Sequence, residues 1–274
     1  MINVRQPRRT LRHIRTNWPV YFVLYGSPVF AILLIGVGLA SGWYSFVPFS
    51  LAIMLVAAYF LVAYVYVAYG LNDAPGSSAA ETLFEMSQAR PVDHVVCIDL
   101  GLRSTAVTIA QRLTTGGLKV IDVYNPQSNI GGALRRGRDL AHKPPVDPRL
   151  DWIDGSIGLL PLPDRSTGVV FMNQILSEFW LPEERDILLG EVLRILAPEG
   201  RLMFAERVRS QSNVLLTGLV TYNLPTSEQW RRTLEQAGFI IRREECPQGL
   251  LYCVRADKPG LSAGKQMALS LEYV

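Results

Sequence analysis

The most constraining feature of this chain is a long segment without any charged residue. Residues 16–72 contain no Asp, Glu, Lys or Arg, and most of them are apolar. A membrane-spanning helix needs about 20 such residues, so the segment is long enough for two spans and a short turn. We predict spans over residues 18–40 and 49–71, with aromatic residues near their ends as in an interfacial belt.

Arginines before the first span set its predicted orientation. Five of them lie among the first 15 residues, whereas the turn between the spans is uncharged. The positive-inside rule then places the amino terminus in the cytoplasm, and a two-span hairpin returns the remaining chain to the same side. We therefore expect a cell-membrane protein with a basic cytoplasmic arm at residues 1–17. A cleaved signal peptide is the alternative for the first span, but the apolar segment is long and a second span follows it.

Charge and cysteine content narrow the class of partner. The formal net charge is +3, but the basic arm accounts for it, and the rest of the chain is slightly acidic. A nucleic-acid-binding domain is basic itself, so we expect no nucleic acid. The three histidines form no ligand pattern, and we expect no metal. Cys97, Cys246 and Cys253 lie in apolar runs and are expected to be reduced core residues.

Residues 160–206 carry the clearest folding pattern after the apolar segment. Residues 169–172 and 201–205 are apolar runs of strand length. Between them, apolar residues recur at helical spacing at Leu188, Leu189, Val192, Leu193 and Leu196. The helix is predicted to begin at Pro182 and to end before Pro198, with Gly200 in the turn that follows. A strand, a covering helix and a parallel strand form one crossover unit of an α/β sheet.

The rest of residues 92–256 continues this alternation. We predict strands at 94–100, 118–123 and 149–153, helices at 104–113, 133–142 and 226–237, and an antiparallel edge pair at 239–245 and 250–255. Residues 73–91 form a linker with a short helix at 79–89, and residues 257–274 form a tail. The predicted fold class is α/β, a Rossmann-like doubly wound sheet with an antiparallel edge hairpin, preceded by a two-helix transmembrane hairpin.

Three motifs within the crossover unit resemble a known enzyme family. The segments LPLPDRS, VVFMNQILSEF and EVLRILAPEGRLMFAE follow one another between residues 160 and 206. Their order looks like the second half of class I S-adenosylmethionine-dependent methyltransferases, closest to the branch of the ubiquinone and menaquinone C-methyltransferases. The resemblance covers residues 92–254. It implies methyl transfer with S-adenosylmethionine (SAM) as the cofactor.

The resemblance places the cofactor beyond the carboxyl ends of the first strands. Asp99 and Gly101 begin the family's glycine loop, but Arg103 and Thr105 replace its two further glycines. Asp99 is expected to hold the amino group of the cofactor or to bind the amides of its own loop. Arg103 either crowds the methionine end or binds its carboxylate. Ser104 lies in the same loop.

The second and third strands supply the other implied cofactor residues. Asp122 is expected to accept both ribose hydroxyls, with a helix cap or a loop contact as the alternative. Val123 and Tyr124 would flank the adenine, or Tyr124 covers the loop. Ser156 replaces the family's acidic residue after the third strand. Asp154 is the neighbouring substitute for that acid, or else part of a plain turn.

The loop after the fourth strand is expected to face the methyl acceptor. Asn173 and Glu178 are its candidate catalytic residues, with Glu178 either a general base or a solvated loop glutamate. Methyl transfer needs mainly in-line placement and exclusion of water, so the absence of a histidine here does not exclude activity.

The apolar segment at residues 210–222 either packs on the sheet or forms a lid over a lipid-like acceptor. Together with the anchor, it predicts a membrane-anchored methyltransferase acting on a hydrophobic, quinone- or lipid-like acceptor, with membrane lipids as partners. The alternative is a catalytically inactive methyltransferase-like binding module, which the altered glycine loop favours. A dinucleotide-dependent oxidoreductase fits the order of strands and helices less well.

Overall fold

The computed structural model describes residues 9–72, 78–141 and 146–260. Predictions for the first eight residues, for the breaker at 73–77 and for the tail after residue 260 lie outside these ranges. The helices are α1 (Arg9–Thr16), α2 (Trp18–Ala40), α3 (Phe46–Asn72), α4 (Ala79–Ser87), α5 (Ser104–Ala110), α6 (Gly132–Asp139), α7 (Pro182–Ile195), α8 (Gln211–Thr217) and α9 (Ser227–Gln236).

A seven-stranded sheet in the order β3-β2-β1-β4-β5-β7-β6 forms the centre of the domain. The strands are β1 (Val95–Asp99), β2 (Leu118–Asp122), β3 (Leu150–Asp154), β4 (Thr167–Asn173), β5 (Leu196–Arg207), β6 (Ile240–Glu245) and β7 (Leu251–Asp257). Strands β1 to β5 are parallel, and β7 runs antiparallel between β5 and β6. This arrangement confirms the predicted Rossmann-like sheet with an antiparallel edge.

Both faces of the central strands β1, β2 and β4 are largely buried, as parallel strands require, whereas the edge strands β3 and β6 are partly exposed. On one face, α7 and α9 contribute the buried side chains Leu188, Leu189 and Trp230. On the other face, Leu83 of α4 and Ile109 of α5 pack against alternate residues of the same strands. The alternation along each strand fixes the register, because a slip of one residue would exchange the two faces.

Helices α2 and α3 form a hairpin, and each is long and apolar enough to cross a membrane. Many of their large apolar side chains point away from the chain; Phe22 is 69% and Val62 is 70% exposed. The hydroxyl of Tyr21 donates to the Tyr64 carbonyl at 3.4 Å and links the two helices. These helices fit the predicted hairpin in sequence position and in composition.

The hairpin also contacts the sheet domain through α3. The hydroxyl of Tyr59 donates to the Leu215 carbonyl and that of Tyr64 to the Thr217 carbonyl, both at 3.0 Å. Leu215 and Thr217 belong to α8. The second half of α3 is therefore a packing surface for the domain as well as an apolar helix.

Several local predictions differ from the structure. Residues 9–16 form the helix α1 instead of a plain arm, and α8 is helical because the Ser210 hydroxyl accepts from the Asn213 amide and caps it. Strand β5 begins at Leu196, before the expected turn, since Leu196 pairs with Thr167 ahead of an irregularity in the ladder. The prediction that all three cysteines are core residues is wrong for Cys246, which is exposed.

We predict that Leu189→Ala lowers the free energy of unfolding by about 3 kcal/mol, because Leu189 is fully buried and its truncation leaves a cavity. The control is Ile187→Ala on the same helix, where the side chain is 48% exposed and the expected loss is below about 1 kcal/mol. Denaturant unfolding of the purified chain in a neutral detergent measures both values. Equal losses in the two variants would contradict the assignment of the buried face of α7.

Candidate functional site

The register of the sheet brings three carboxylates to one level of its carboxyl edge. Asp99 pairs with Asp122, and Asp122 pairs with Asp154, at the ends of β1, β2 and β3. Asp99 is buried, Asp122 is half-buried and Asp154 is exposed. Negative charge is therefore concentrated where an open α/β sheet binds its ligands.

Asp99 closes the loop that follows β1. Its carboxylate accepts from the Arg103 amide at 2.9 Å, and Arg103 has a positive φ of 65° at the start of α5. Burial raises the pKa of Asp99 to about 6, and the charge of Asp122 adds to this rise. Asp99 therefore binds its own loop, which was one of the two roles expected for it, and its carboxylate also lines the cavity described below.

Arg138 of α6 forms an ion pair with the carboxylate of Asp122. One guanidinium nitrogen, Nη1, lies 2.9 Å from each Asp122 oxygen and also donates to the Leu100 carbonyl at 2.6 Å. The same guanidinium stacks on the ring of Tyr124, 3.9 Å from its centroid. Gly101 faces Arg138 so closely that a Cβ at this position would overlap the guanidinium. A ligand that uses Asp122 therefore competes with Arg138 for its carboxylate.

Helix α1 holds α6 over this edge of the sheet. Arg12 donates to the carbonyls of Leu102 and Gly137, at 3.0 and 3.1 Å. Arg136 in turn donates to the Thr16 carbonyl at 2.7 Å. These three bonds join α1, α6 and the loop after β1 into one unit, which we call the α1–α6 cover.

Arg103 extends away from the carboxylates. Its guanidinium donates to the Ala141 carbonyl at 3.3 Å and lies 5.8 Å from the centre of the Trp152 ring. In this structure Arg103 thus braces the end of α6 against β3. Ser104, the next residue, begins α5 and lines the cavity described below.

The other residues expected near the adenosine follow the paired ends of β2 and β3 and differ in burial. Val123 is fully buried in the core, and Tyr124 is covered by Arg138. Asp154 is exposed at the end of β3, and the Ser156 hydroxyl accepts from the Gly158 amide at 3.3 Å within its own turn. The adenosine roles implied for these four residues stay predictions.

The loop after β4 carries groups with unused hydrogen-bonding capacity. The side-chain amide of Asn173 donates to the Thr105 hydroxyl at 2.9 Å, while its Oδ1 is buried without a partner. Glu178 is half-buried beside Gly131, and burial raises its pKa. Glu178 is therefore partly withdrawn from solvent, and its role as a general base stays a prediction.

Glu206, on β5, is a buried carboxyl in the motif LMFAE. Its side chain is fully buried, Oε1 accepts from the Ser177 amide at 3.3 Å, and Oε2 has no partner. Burial raises the pKa of Glu206 to about 7. The sequence contains a signal for this carboxyl, because the charged residues Glu206 and Arg207 end an apolar strand. That pattern was used only to predict the strand.

A cavity of about 190 Å³ lies between this edge of the sheet and the ends of α1 and α3. Its walls include Asp99, Thr105, Asn173 and Arg207 of the domain, with His13 of α1 and Leu71 of α3. The structure therefore brings Asp99 and Asn173 to one cavity, whereas Asp122 is paired with Arg138 and does not line it. Arg138 was expected only as one of several arginines of a short helix, and Arg207 only as part of the segment that leads to the lid, because nothing in their local pattern shows which distant groups they face.

Comparison with known proteins supports the methyltransferase prediction for the domain. Residues 129–204 match the family model described as a methyltransferase domain. A carboxy-S-adenosyl-L-methionine synthase from Pseudomonas paraeruginosa is 33% identical over 138 residues, which are 48% of this chain and 52% of that protein. The chain thus spans about half the length of this curated relative.

A SAM-dependent methyltransferase from Aquifex aeolicus shares the fold. Its crystal structure superposes with a TM-score of 0.50 at 18% identity, covering 68% of this chain and 94% of that one. The chain therefore has the class I SAM-dependent methyltransferase fold, and its matched domain implies SAM as the cofactor. The quinone-methyltransferase branch is not among the features that these comparisons establish.

We predict that Glu206→Gln flattens the pH dependence of stability between about pH 4.5 and 7. The raised pKa of Glu206 means that the folded chain binds more protons than the unfolded chain in this window, so stability falls as the pH rises. The variant should gain on the order of 2 kcal/mol relative to the wild type between pH 4.5 and 8. Denaturant unfolding at several pH values measures the difference, and a pH-independent difference would contradict a buried, titrating Glu206.

Proposed function

We propose that this chain is a membrane-anchored SAM-dependent methyltransferase whose hydrophobic acceptor reaches the site from the bilayer surface. One observation carries the proposal. The cavity lies at the carboxyl edge of a methyltransferase sheet, and the ends of α1 and α3 form part of its wall. An acceptor that enters this cavity therefore passes beside the apolar hairpin.

The length of α3 supports a site at the bilayer surface. Its 27 residues extend about 40 Å, whereas the hydrocarbon layer is about 30 Å thick. With Phe46 at the far boundary, Tyr59 lies about 20 Å along the helix and therefore about 10 Å inside the near boundary. The Leu215 carbonyl, which accepts from Tyr59, then lies at the bilayer surface or within the outer part of the hydrocarbon layer.

The outer face of α8 suits that position. Leu215 is 65% exposed, and Tyr222, shortly after α8, is 57% exposed. Exposed leucine and tyrosine side chains are favourable at a membrane interface and costly in water. In this proposal, α8 lies in the interface and forms the lid over a lipid- or quinone-like acceptor. The five amino-terminal arginines favour a cytoplasmic position for the domain.

The residues at the carboxyl edge fit the cofactor. Bound SAM supplies an electrophilic methyl group on a sulfonium. Asp122 has the carboxylate geometry to accept both ribose hydroxyls once Arg138 has moved away. Asp99 and the unpartnered Oδ1 of Asn173 are acceptors for an ammonium group. The protein then needs to hold the acceptor in line with the methyl group and to exclude water.

Glu178 and Glu206 are the groups that could take a proton from the acceptor. Both have a raised pKa because of burial, so each is a better base than an exposed glutamate. Neither lines the cavity. We therefore assign the chemistry to positioning by Asn173 and the cavity walls, with the buried glutamates as structural neighbours.

A second candidate is a non-catalytic methyltransferase-like module that binds a partner at the membrane. The ion pair between Arg138 and Asp122 favours it, because this pair fills the place that the ribose needs. The α1–α6 cover would then be a permanent part of the fold instead of a movable one.

Cofactor binding separates the two candidates. We predict that Asp122→Asn weakens S-adenosylhomocysteine binding at least tenfold, because the ribose loses its charged acceptor. Arg138→Met should strengthen binding several-fold, because the competitor for Asp122 is gone. Isothermal titration of the full-length chain in a neutral detergent measures both effects.

The matched control for this pair of variants is Arg135→Met, an exposed residue on the same helix, which should bind like the wild type. Absence of binding in the wild type and in Arg138→Met, with both folded, would make the non-catalytic module the leading function.

The acceptor class is tested with Leu215→Glu. A glutamate at this site opposes insertion of α8 into the interface, so transfer of labelled methyl from SAM to a membrane lipid extract should fall at least fivefold. Leu159→Glu, at another exposed leucine (68%), is the control and should match the wild type. The full chain must be used, because α1 and α3 complete the cavity wall. Equal rates for both variants would contradict an interfacial lid.

A further inference from the structure

Arg207 is a cation without a counter-charge. It ends β5 and lines the cavity, yet its Nε is fully buried and has no hydrogen-bond partner. No ion pair to its guanidinium is found in the described part of the chain. Burial lowers the pKa of Arg207, which is the direction expected when the charged form lacks compensation. Buried charges in folded proteins are normally paired.

The groups around Arg207 do not neutralise it. Glu206 is its neighbour along β5, but successive side chains of a strand point to opposite faces, and the Glu206 carboxyl binds the Ser177 amide. His13 of α1 faces Arg207, and its pKa is lowered to about 4 by burial and by the Arg207 charge, so it is neutral. Tyr64 of α3 contributes only a hydroxyl, which donates to the Thr217 carbonyl. Asp99 lines the same cavity as a carboxylate, but it forms no ion pair with Arg207 in the described part of the chain and accepts from the Arg103 amide.

A second unsatisfied group faces the same cavity. Asn173 Oδ1 is a buried acceptor without a partner. The cavity therefore offers a free cation at Arg207 and free acceptor capacity at Asn173. Its volume of about 190 Å³ is below the range of about 300 to 1,000 Å³ for whole-ligand pockets, so it suits one polar end of a ligand.

We propose that Arg207 binds the anionic group, a carboxylate or a phosphate, of the ligand that occupies this cavity. The inference rests on the proposed function and adds to it a residue that the sequence comparison did not single out. A planar guanidinium pairs with such groups through two hydrogen bonds. The anionic group has two sources, the amino-acid end of SAM or the head group of a lipid acceptor. In the first case, the ammonium of the same ligand would meet Asn173 Oδ1.

The experiment uses Arg207→Met and Arg207→Lys in the full-length chain, in a neutral detergent. Arg209→Met is the matched control, because Arg209 is exposed, lies two residues further on and donates to the Tyr222 carbonyl. The probes are S-adenosylhomocysteine and methylthioadenosine, which lacks the amino-acid end, together with dihexanoyl phosphatidic acid and dihexanoyl phosphatidylcholine.

For a cofactor carboxylate, Arg207→Met should weaken S-adenosylhomocysteine binding at least tenfold and leave methylthioadenosine binding unchanged, with Arg207→Lys in between. If the anionic group is a lipid head group, Arg207→Met should bind both nucleosides like the wild type. The rise in Tm that dihexanoyl phosphatidic acid causes in the wild type should then be absent in this variant. Either result supports the proposal when Arg209→Met behaves like the wild type. Wild-type values for all four probes in Arg207→Met would overturn it.

Two further readouts keep the test decisive. Without ligand, Arg207→Met should unfold at or above the wild-type temperature, because a half-buried charge without an ion-pair partner has been removed; a Tm several degrees lower would reveal a hidden partner and overturn the premise. If the wild type binds neither nucleoside, the proposed methyltransferase function fails on its own, and the phosphatidic acid measurement alone decides the role of Arg207.

Discussion

Three carboxylates lie side by side at one edge of the sheet, and the groups around them offset their mutual repulsion. The parallel register places Asp99, Asp122 and Asp154 side by side, and the charge of Asp122 helps to raise the pKa of Asp99. The chain balances this charge in different ways. A backbone amide binds Asp99, an arginine from α6 binds Asp122, and solvent reaches Asp154. Helix α6 thus brings a cation to this edge, and Arg12 and Arg136 connect α6 to α1.

The ends of α1 and α3 join the apolar hairpin to this electrostatic arrangement. Arg12 and Arg136 connect α1 to α6, and two tyrosine hydroxyls connect α3 to α8. Helix α1 therefore contacts the loop after β1, and α3 contacts α8, which follows β5. Each of these two helices also contributes a residue to the cavity wall, His13 from α1 and Leu71 from α3.

The sequence predicted those parts whose pattern is local. The uncharged apolar segment located α2 at its observed bounds, periodicity located α7 from Pro182, and the predicted strands overlap all seven observed ones. Contacts between distant segments were not predictable in this way. The pairing of Arg138 with Asp122 depends on how α6 returns over the sheet, and no motif encodes it. For Arg103, the local motif suggested a cofactor contact, because the residue lies in the glycine loop. In the structure its guanidinium donates to the Ala141 carbonyl and lies over the Trp152 ring.

The pairing of Arg138 with Asp122 also changes the meaning of a measured affinity. When a binding-competent state is populated only in part, the apparent dissociation constant is the intrinsic one divided by that fraction. A cover that is open about 1% of the time would thus weaken apparent cofactor binding about 100-fold, even at a well-formed site. Since α1 leads directly into α2, opening of the cover would also move the start of the hairpin. If the hairpin lies in a bilayer, as proposed, a weak affinity in detergent and a tight one in a native bilayer would be two readings of a single equilibrium.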